Sequence, residues 1–352
     1  MSIDNFFSGG VTCLQKSNDT ISGGFEDLVL FVLDQCGIES KELKVIKSFE
    51  GEIFSEFIIS TDNFIYSLKI TLDDKNESFL NEISFLEENK KTIGLPYING
   101  GPLNFSLKAN FLIVDYNNVF ELKDFDNNSL MEEADMFFIA ISLLNNCKIK
   151  KNSEDYLNMF FLNNDYDNGL LCNKCELLDF GIEYSEFCSI MYKTRKEIEN
   201  SEKLKSIKGN CTCHGFMSSE NLIIKDGLFK FKNLNYSFIG NPLFDLAFLS
   251  VSLSLKERSK LLLFKKYCDF FNLDFKKVKK DYDNCLYIAS HLFLYKNFFD
   301  FFVSMFVKNE HFDTVNPIYN IFRSSKYLKK LPLYNRFETL LEDISKKTKG
   351  HL

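Results

Sequence analysis

The sequence predicts an α+β chain in two lobes, a small N-terminal antiparallel sheet with one helix and a larger, mainly helical C-terminal part. Three observations lead there. Short β-rich runs separated by turn residues fill the stretch from Lys44 to Tyr116. From about Ser129 the apolar spacing becomes helical, and one small β-like pair with an Asp226-Gly227 turn interrupts the helical half.

Taken in order, Phe25 to Cys36 is apolar at helical spacing and stops at Gly37, a residue suited to end a helix. Lys44 to Phe49, Ile53 to Ser60 and Phe64 to Ile70 read as a three-stranded meander, with turns at Gly51-Glu52 and Thr61-Asp62-Asn63. Glu77 to Asn89 follows as a helix with Leu80, Ile83 and Leu86 on one side. Strands are expected near Leu95 to Ile98 and over Phe111 to Tyr116. The first lobe then ends near residue 118, which gives lobes of 1–118 and 119–352. In the second lobe Leu130 to Leu144 is expected as one helix and Tyr184 to Glu202 as another. A β-like pair lies between Asn210 and Phe231, and helices resume at Leu243.

Bulk properties exclude several classes. At 352 residues the chain is long enough for two lobes sharing a cleft. Its hydrophobic fraction of 45% against 26% charged is that of a folded protein. A net charge of −7 argues against a nucleic-acid binder, which needs a basic face. No basic start leads into an apolar core at the N-terminus, and Lys296 and Asp300 break the longest aromatic stretch, Leu292 to Phe306. With ten cysteines and no export signal, reduced thiols and a cytoplasmic location are expected, without membrane or nucleic-acid partners.

The most specific signal runs from His214 to Ala247. His214-Gly215-Phe216-Met217-Ser218-Ser219-Glu220-Asn221 resembles the H-G-D-x-x-x-x-N loop of the aminoglycoside phosphotransferases and choline kinases. Asn233-Leu234-Asn235-Tyr236 stands where that family has an Asp-Trp-Glu-like segment, and Gly240 to Ala247 is similar to its G-D-P-x-x-D-L-A ending. The resemblance implies a bilobal protein-kinase-like fold and ATP as a ligand. It makes Lys69, on the third strand, the phosphate-binding lysine, and Glu82, on the next helix, the carboxylate that holds it. The strand Phe111 to Tyr116, with Val114 and Tyr116, becomes the hinge whose backbone meets an adenine edge. His214 is expected as a loop anchor rather than a proton shuttle, and Asp245 as structural support for the loop. The only glycine near a phosphate-cradling position is Gly51.

Departures from the pattern set the functional expectation. The family's proton-accepting Asp is Phe216 here, which can neither accept a proton nor orient a hydroxyl. A magnesium-binding Asp is Asn233, leaving Asn221 and Asn233, two neutral amides, as weak ligands for a hard cation. The expected function is therefore that of a degenerate, catalytically impaired pseudokinase, a module binding a nucleotide or an unidentified small molecule or protein, with magnesium held weakly or not at all. The alternative is an active ATP-dependent small-molecule O-phosphotransferase with an atypical site.

Other residues invite weaker readings. Glu220 and Asp226 are candidates for the missing base, though Asp226 fits a turn and Glu220 should point away from Asn221. Cys172 and Cys175, with Cys211 and Cys213, have spacings that could place four thiolates around zinc, against the plainer reading of buried small apolar side chains. Tyr295 and Phe299, in the aromatic helix Tyr295 to Phe306, read as core packing or, by resemblance, a substrate-covering surface.

Overall fold

The computed structural model describes residues 23–39, 43–50, 54–62, 64–71, 75–90, 94–103, 109–121, 127–164 and 184–306. The chain divides into two compact units, Met1–Val119 and Phe120–Leu352.

In the first unit, α1 (Gly23–Gln35) is followed by β1 (Lys44–Glu50), β2 (Ser55–Ser60), β3 (Ile65–Thr71), α2 (Glu77–Glu88), β4 (Tyr97–Pro102) and β5 (Asn110–Asp115). The strands form one antiparallel sheet in the order β1-β2-β3-β5-β4. Helix α1 ends at Gly37, whose φ of 69° lets the Ile38 N–H turn back to the Leu33 carbonyl at 2.9 Å. Helix α2 is capped by Asn76, whose side chain accepts from the Phe79 N–H.

Alternation along the strands sorts the two faces. Tyr66, Leu68 and Ile70 of β3 join Ile59, Phe111 and Ile113 in a core closed by Leu28, Val29, Val32 and Leu33 of α1. Ser67, Lys69 and Thr71 therefore face the other way, and Lys69 stands in register with Glu56 on one side and Leu112 on the other. The fourth strand lies further along the chain than expected, running through Asn99-Gly100-Gly101 to Pro102. Glycines normally argue against a strand, but here Gly100 serves close packing: a Cβ there would meet the Phe111 carbonyl oxygen at 3.2 Å and Ile83 of α2 at 3.3 Å.

In the second unit the predicted helix Leu130 to Leu144 is two, α3 (Asn127–Glu132) and α4 (Ala134–Asn145), parted at Glu133 with ψ of 13°. No glycine or proline marks that break, so the sequence pattern runs straight through it. Helix α5 (Ser153–Asn163) was not anticipated, although Asn152 and Asp155 form a reciprocal capping box at its start. A short strand β6 (Val119–Glu121) lies at the junction in the chain; after α6 (Tyr184–Glu199), β7 (Cys211–Cys213) pairs with β10 (Phe238–Gly240), while β8 (Leu222–Lys225) and β9 (Leu228–Phe231) form the tight hairpin. The expected strand pair in this region is thus two separate pairings. Helices α7 (Leu243–Ser252), α8 (Glu257–Phe270) and α9 (Phe275–Phe306) follow, and the predicted aromatic helix is the end of α9. Among the described residues no helix is long and apolar enough to cross a membrane.

Helix α9 carries His291, fully buried, with its Nδ1 at 2.7 Å from the Tyr287 carbonyl. Glu197 of α6 lies 4.0 Å from Nε2, Tyr287 donates to the same carboxylate at 3.1 Å, and Lys203 sits over the Tyr287 ring. Burial pushes His291 down to about 4, aided by Lys203 and opposed by the Tyr287 carbonyl. Because this folded value lies below the ordinary value of 6.5, His291 supports stability in full above pH 6.5. That support is lost as pH falls toward about 4, since unfolding then takes up a proton. At pH 5 the loss should be about 2 kcal/mol. Urea unfolding at pH 7 and pH 5 should show a smaller difference for His291→Gln than for the parent chain.

Candidate functional site

The first unit places Lys69 and Glu82 in contact. The Lys69 ammonium donates to both oxygens of Glu82, at 2.8 and 2.9 Å, and both residues are buried. The ring of Phe54 lies 4.6 Å from the same ammonium and packs 5.8 Å from Phe79 of α2. Val114 is interior to the sheet, in register with both Ser67 and Tyr97, and the Tyr116 N–H donates to the Ile65 carbonyl at 2.8 Å. Gly51 lies outside the described residues.

In the second unit, the loop after β7 is held from below by Asp245, on the first turn of α7. One carboxylate oxygen accepts from the His214 N–H at 2.7 Å and the other from the Gly215 N–H at 3.1 Å. Asp245 is fully buried; burial pushes its carboxyl up to about 7 against the pull of those two N–H groups. Gly215 has φ of 84°, and a Cβ there would sit 2.3 Å from the Tyr236 carbonyl oxygen. Only glycine fits that approach. Tyr156 of α5 fixes the same turn, donating from its hydroxyl to the Gly215 carbonyl at 2.8 Å.

His214 has a defined tautomer. Its Nδ1 accepts from the Phe216 N–H at 3.2 Å, so the ring proton sits on Nε2 and donates to the Lys232 carbonyl at 2.9 Å. Both nitrogens bond backbone, tying the loop to the chain just after the hairpin. This is an anchor's geometry.

The same logic orients the two asparagines. The Phe216 carbonyl can only accept, so the Asn221 group 2.8 Å from it is the NH2. Asn221 Oδ1 therefore faces Asn233, and the Asn233 NH2 donates to it at 2.8 Å. Asn233 holds a left-handed backbone, φ 58° and ψ 52°, a conformation that asparagine tolerates better than most residues. The Phe216 ring leaves this polar row and packs among aromatics, with ring centroids 4.7 Å from Phe248, 6.0 Å from Tyr236 and 6.3 Å from Phe293.

Phe216, Asn221, Asn233, His214 and Asp245 thus form one connected group. The donor set does not fit a magnesium ion. A hard cation needs anionic or free carbonyl oxygens in octahedral array, and here the Asn221 amide oxygen already accepts from Asn233. Among the described residues no three His, Cys, Asp or Glu side chains gather as a metal site.

The remaining candidates stand apart from this group. Asp226 occupies the β8–β9 turn with φ of 53°, and Glu220 is exposed. Cys172 and Cys175 lie outside the described residues. Burial pushes both the Cys211 and Cys213 thiols up, away from the thiolate form a metal requires. Tyr295 and Phe299 are buried, and Tyr295 donates to the Asn164 carbonyl at 3.2 Å. Sequence reading missed Tyr156, whose one available signal was the capping box that starts its helix.

No family model matches the chain, and no curated protein matches it by sequence. Solved structures do. The chain is similar to an ethanolamine kinase of Plasmodium vivax, with a TM-score of 0.58 and 11% identity over 91% of this chain and 93% of that one. It is similar to the choline kinase LicA of Streptococcus pneumoniae, with a TM-score of 0.54 and 11% identity over 86% of this chain and 99% of that one. A thermostable aminoglycoside phosphotransferase APH(4)-Ia, solved with AMP-PNP and hygromycin B, gives a TM-score of 0.54 and 11% identity, covering 87% and 99% of the two chains. At such identity the likeness establishes the fold. The chain has an α+β, protein-kinase-like fold.

The clasp on the loop is directly testable. Asp245→Asn leaves a single side-chain oxygen for two N–H donors and sets an NH2 against one of them. This should cost about 1–3 kcal/mol, read as a lower urea midpoint with an unchanged slope.

Proposed function

We propose that this chain is a kinase-fold protein without effective phosphoryl transfer, acting as a module that binds a nucleotide or a partner. The observation that carries the reading is the hydrogen bond from Asn233 to Asn221 at 2.8 Å. It links two neutral amides at positions where the resembling family holds magnesium, and ties up one of their oxygens. Phosphoryl transfer rests on positioning and on neutralising charge at the phosphates, and neither amide supplies a negative charge to hold the metal that does so. Phe216 compounds the defect. A positioned base contributes about 10²–10⁴-fold, and the Phe216 ring is packed among Phe248, Tyr236 and Phe293.

Nucleotide affinity is supported by the Lys69–Glu82 pair and by similar structures solved with AMP and with AMP-PNP. The lysine is held in one position before any ligand arrives, which lowers the ordering cost of an encounter.

The test measures ATP binding with and without magnesium, then ATP consumption across a panel of hydroxylated amines and sugars. Binding should be insensitive to magnesium, and turnover should stay at background. Asn233→Asp, which supplies the missing charge, should make ATP binding magnesium-dependent. Robust turnover by the parent chain that vanishes in Lys69→Ala would overturn the reading in favour of an active O-phosphotransferase.

A further inference from the structure

The clasp beneath the loop is a buried anion held by peptide groups. Asp245 is fully buried, with Oδ2 accepting from the His214 N–H at 2.7 Å and Oδ1 from the Gly215 N–H at 3.1 Å. Among the described residues no lysine or arginine pairs with it; what acts on its carboxyl is burial and those two N–H groups. The His214 ring is neutral, since its Nδ1 accepts from the Phe216 N–H.

Four more side chains feel the charge of this carboxylate, one from each element packed around it. They are Cys213 of β7, Tyr156 of α5, Tyr267 of α8 and Cys285 of α9, all buried. Each is a weak acid that burial pushes further up, with the Asp245 charge among the lesser causes. All four therefore stay uncharged near neutral pH and supply no countercharge. Asp281, which acts on Cys285, is negative as well. A buried charge without a cation takes up a proton more readily than an exposed one. Burial accordingly raises the Asp245 carboxyl from 3.8 to about 7, against the pull of the two N–H groups.

The two protonation states make different contacts. As an anion, the carboxylate offers one acceptor oxygen to each N–H. A protonated carboxyl carries an O–H, and Oδ1, with the longer of the two bonds, loses less by taking the proton. The Gly215 N–H then faces a hydroxyl that is itself a donor, while His214 keeps its acceptor. The other tie on this turn, from the Tyr156 hydroxyl to the Gly215 carbonyl at 2.8 Å, does nothing for the N–H.

We propose that Asp245 is a proton-operated latch on the loop: ionised it holds the Gly215 turn closed, and protonated it releases the Gly215 N–H while keeping that of His214. The next residue, Phe216, carries both the ring packed on Phe248 and the carbonyl that orients Asn221, so the latch acts on the whole connected group. The folded value of Asp245 lies above its ordinary one. Its proton therefore contributes stability that is complete below pH 3.8 and is lost as pH rises through about 7. Acidification from pH 8 to pH 6 thus loosens the turn and, through the same group, favours the folded chain. A clasp with a structural role alone would do neither.

The experiment is amide hydrogen exchange of the full chain, resolved by NMR between pH 8 and pH 6, beside urea unfolding of the parent and Asp245→Asn. Protection of the Gly215 amide, relative to its unstructured rate, should fall about tenfold over this range as a charge-assisted bond is lost. His214 should change less, and both amides should be level in Asp245→Asn. The ratio of the parent's unfolding constant to the variant's should fall about tenfold from pH 8 to pH 6; His291 is common to both chains and cancels. Tyr156→Phe removes the other tie on the turn and keeps the carboxylate. The Gly215 step should persist there at the same pH with lower protection on both sides, and this variant decides the matter if Asp245→Asn does not fold. Level Gly215 protection in the parent, a step that survives in Asp245→Asn, or its loss in Tyr156→Phe overturns the proposal.

Discussion

The second unit depends on one buried carboxylate. Asp245 accepts from the His214 and Gly215 backbone N–H groups, two donors that no strand or helix satisfies. A buried peptide N–H without an acceptor costs about 1–3 kcal/mol, so the turn at Gly215 is held because α7 delivers two acceptor oxygens beneath it. From that clasp the rest follows in sequence. His214 faces the Lys232 carbonyl, the Phe216 carbonyl meets Asn221, and Asn221 meets Asn233. Each bond fixes the donor or acceptor sense of the next, and the chain of amides has a single consistent orientation.

What this arrangement lacks is charge. A loop of this shape with carboxylates at positions 216 and 233 would present anionic oxygens side by side, which repel until a cation joins them. With phenylalanine and asparagine there, the group satisfies itself. The Asn221–Asn233 hydrogen bond needs no ion, and the Phe216 ring gains apolar contact with Phe248, Tyr236 and Phe293. Phenylalanine at 216 and asparagine at 233 place no carboxylate there, and so none of the mutual repulsion that a bound cation would relieve.

Much of this was legible in the sequence because it depends on local chemistry. Glycine at 37 ended a helix, Asp226-Gly227 made a turn, and His214-Gly215 with Asp245 identified the loop and its support. The Lys69–Glu82 pairing followed from placing one residue on the third strand and the other on the next helix. What escaped depends on contacts made at a distance. The pairing of Cys211–Cys213 with Phe238–Gly240 joins segments on either side of the hairpin, and no short-range pattern announces it. Gly100 extends a strand that glycine should have ended, for a reason that lies in Ile83 and Phe111. Tyr156 reaches Gly215 across a gap of 59 residues, which periodicity cannot bridge.

The buried pair in the first unit raises a separate energetic point. Removing both an ammonium and a carboxylate from water costs several kcal/mol per ion, and such a pair is often no more stabilising than apolar residues of similar size. Stability alone therefore does not account for Lys69 and Glu82, whose surroundings are otherwise a good apolar interior. The pair fixes a cation at one place on the sheet. Each unit, taken by itself, thus holds a buried carboxylate in a defined geometry, Glu82 on the Lys69 ammonium and Asp245 on two backbone N–H groups.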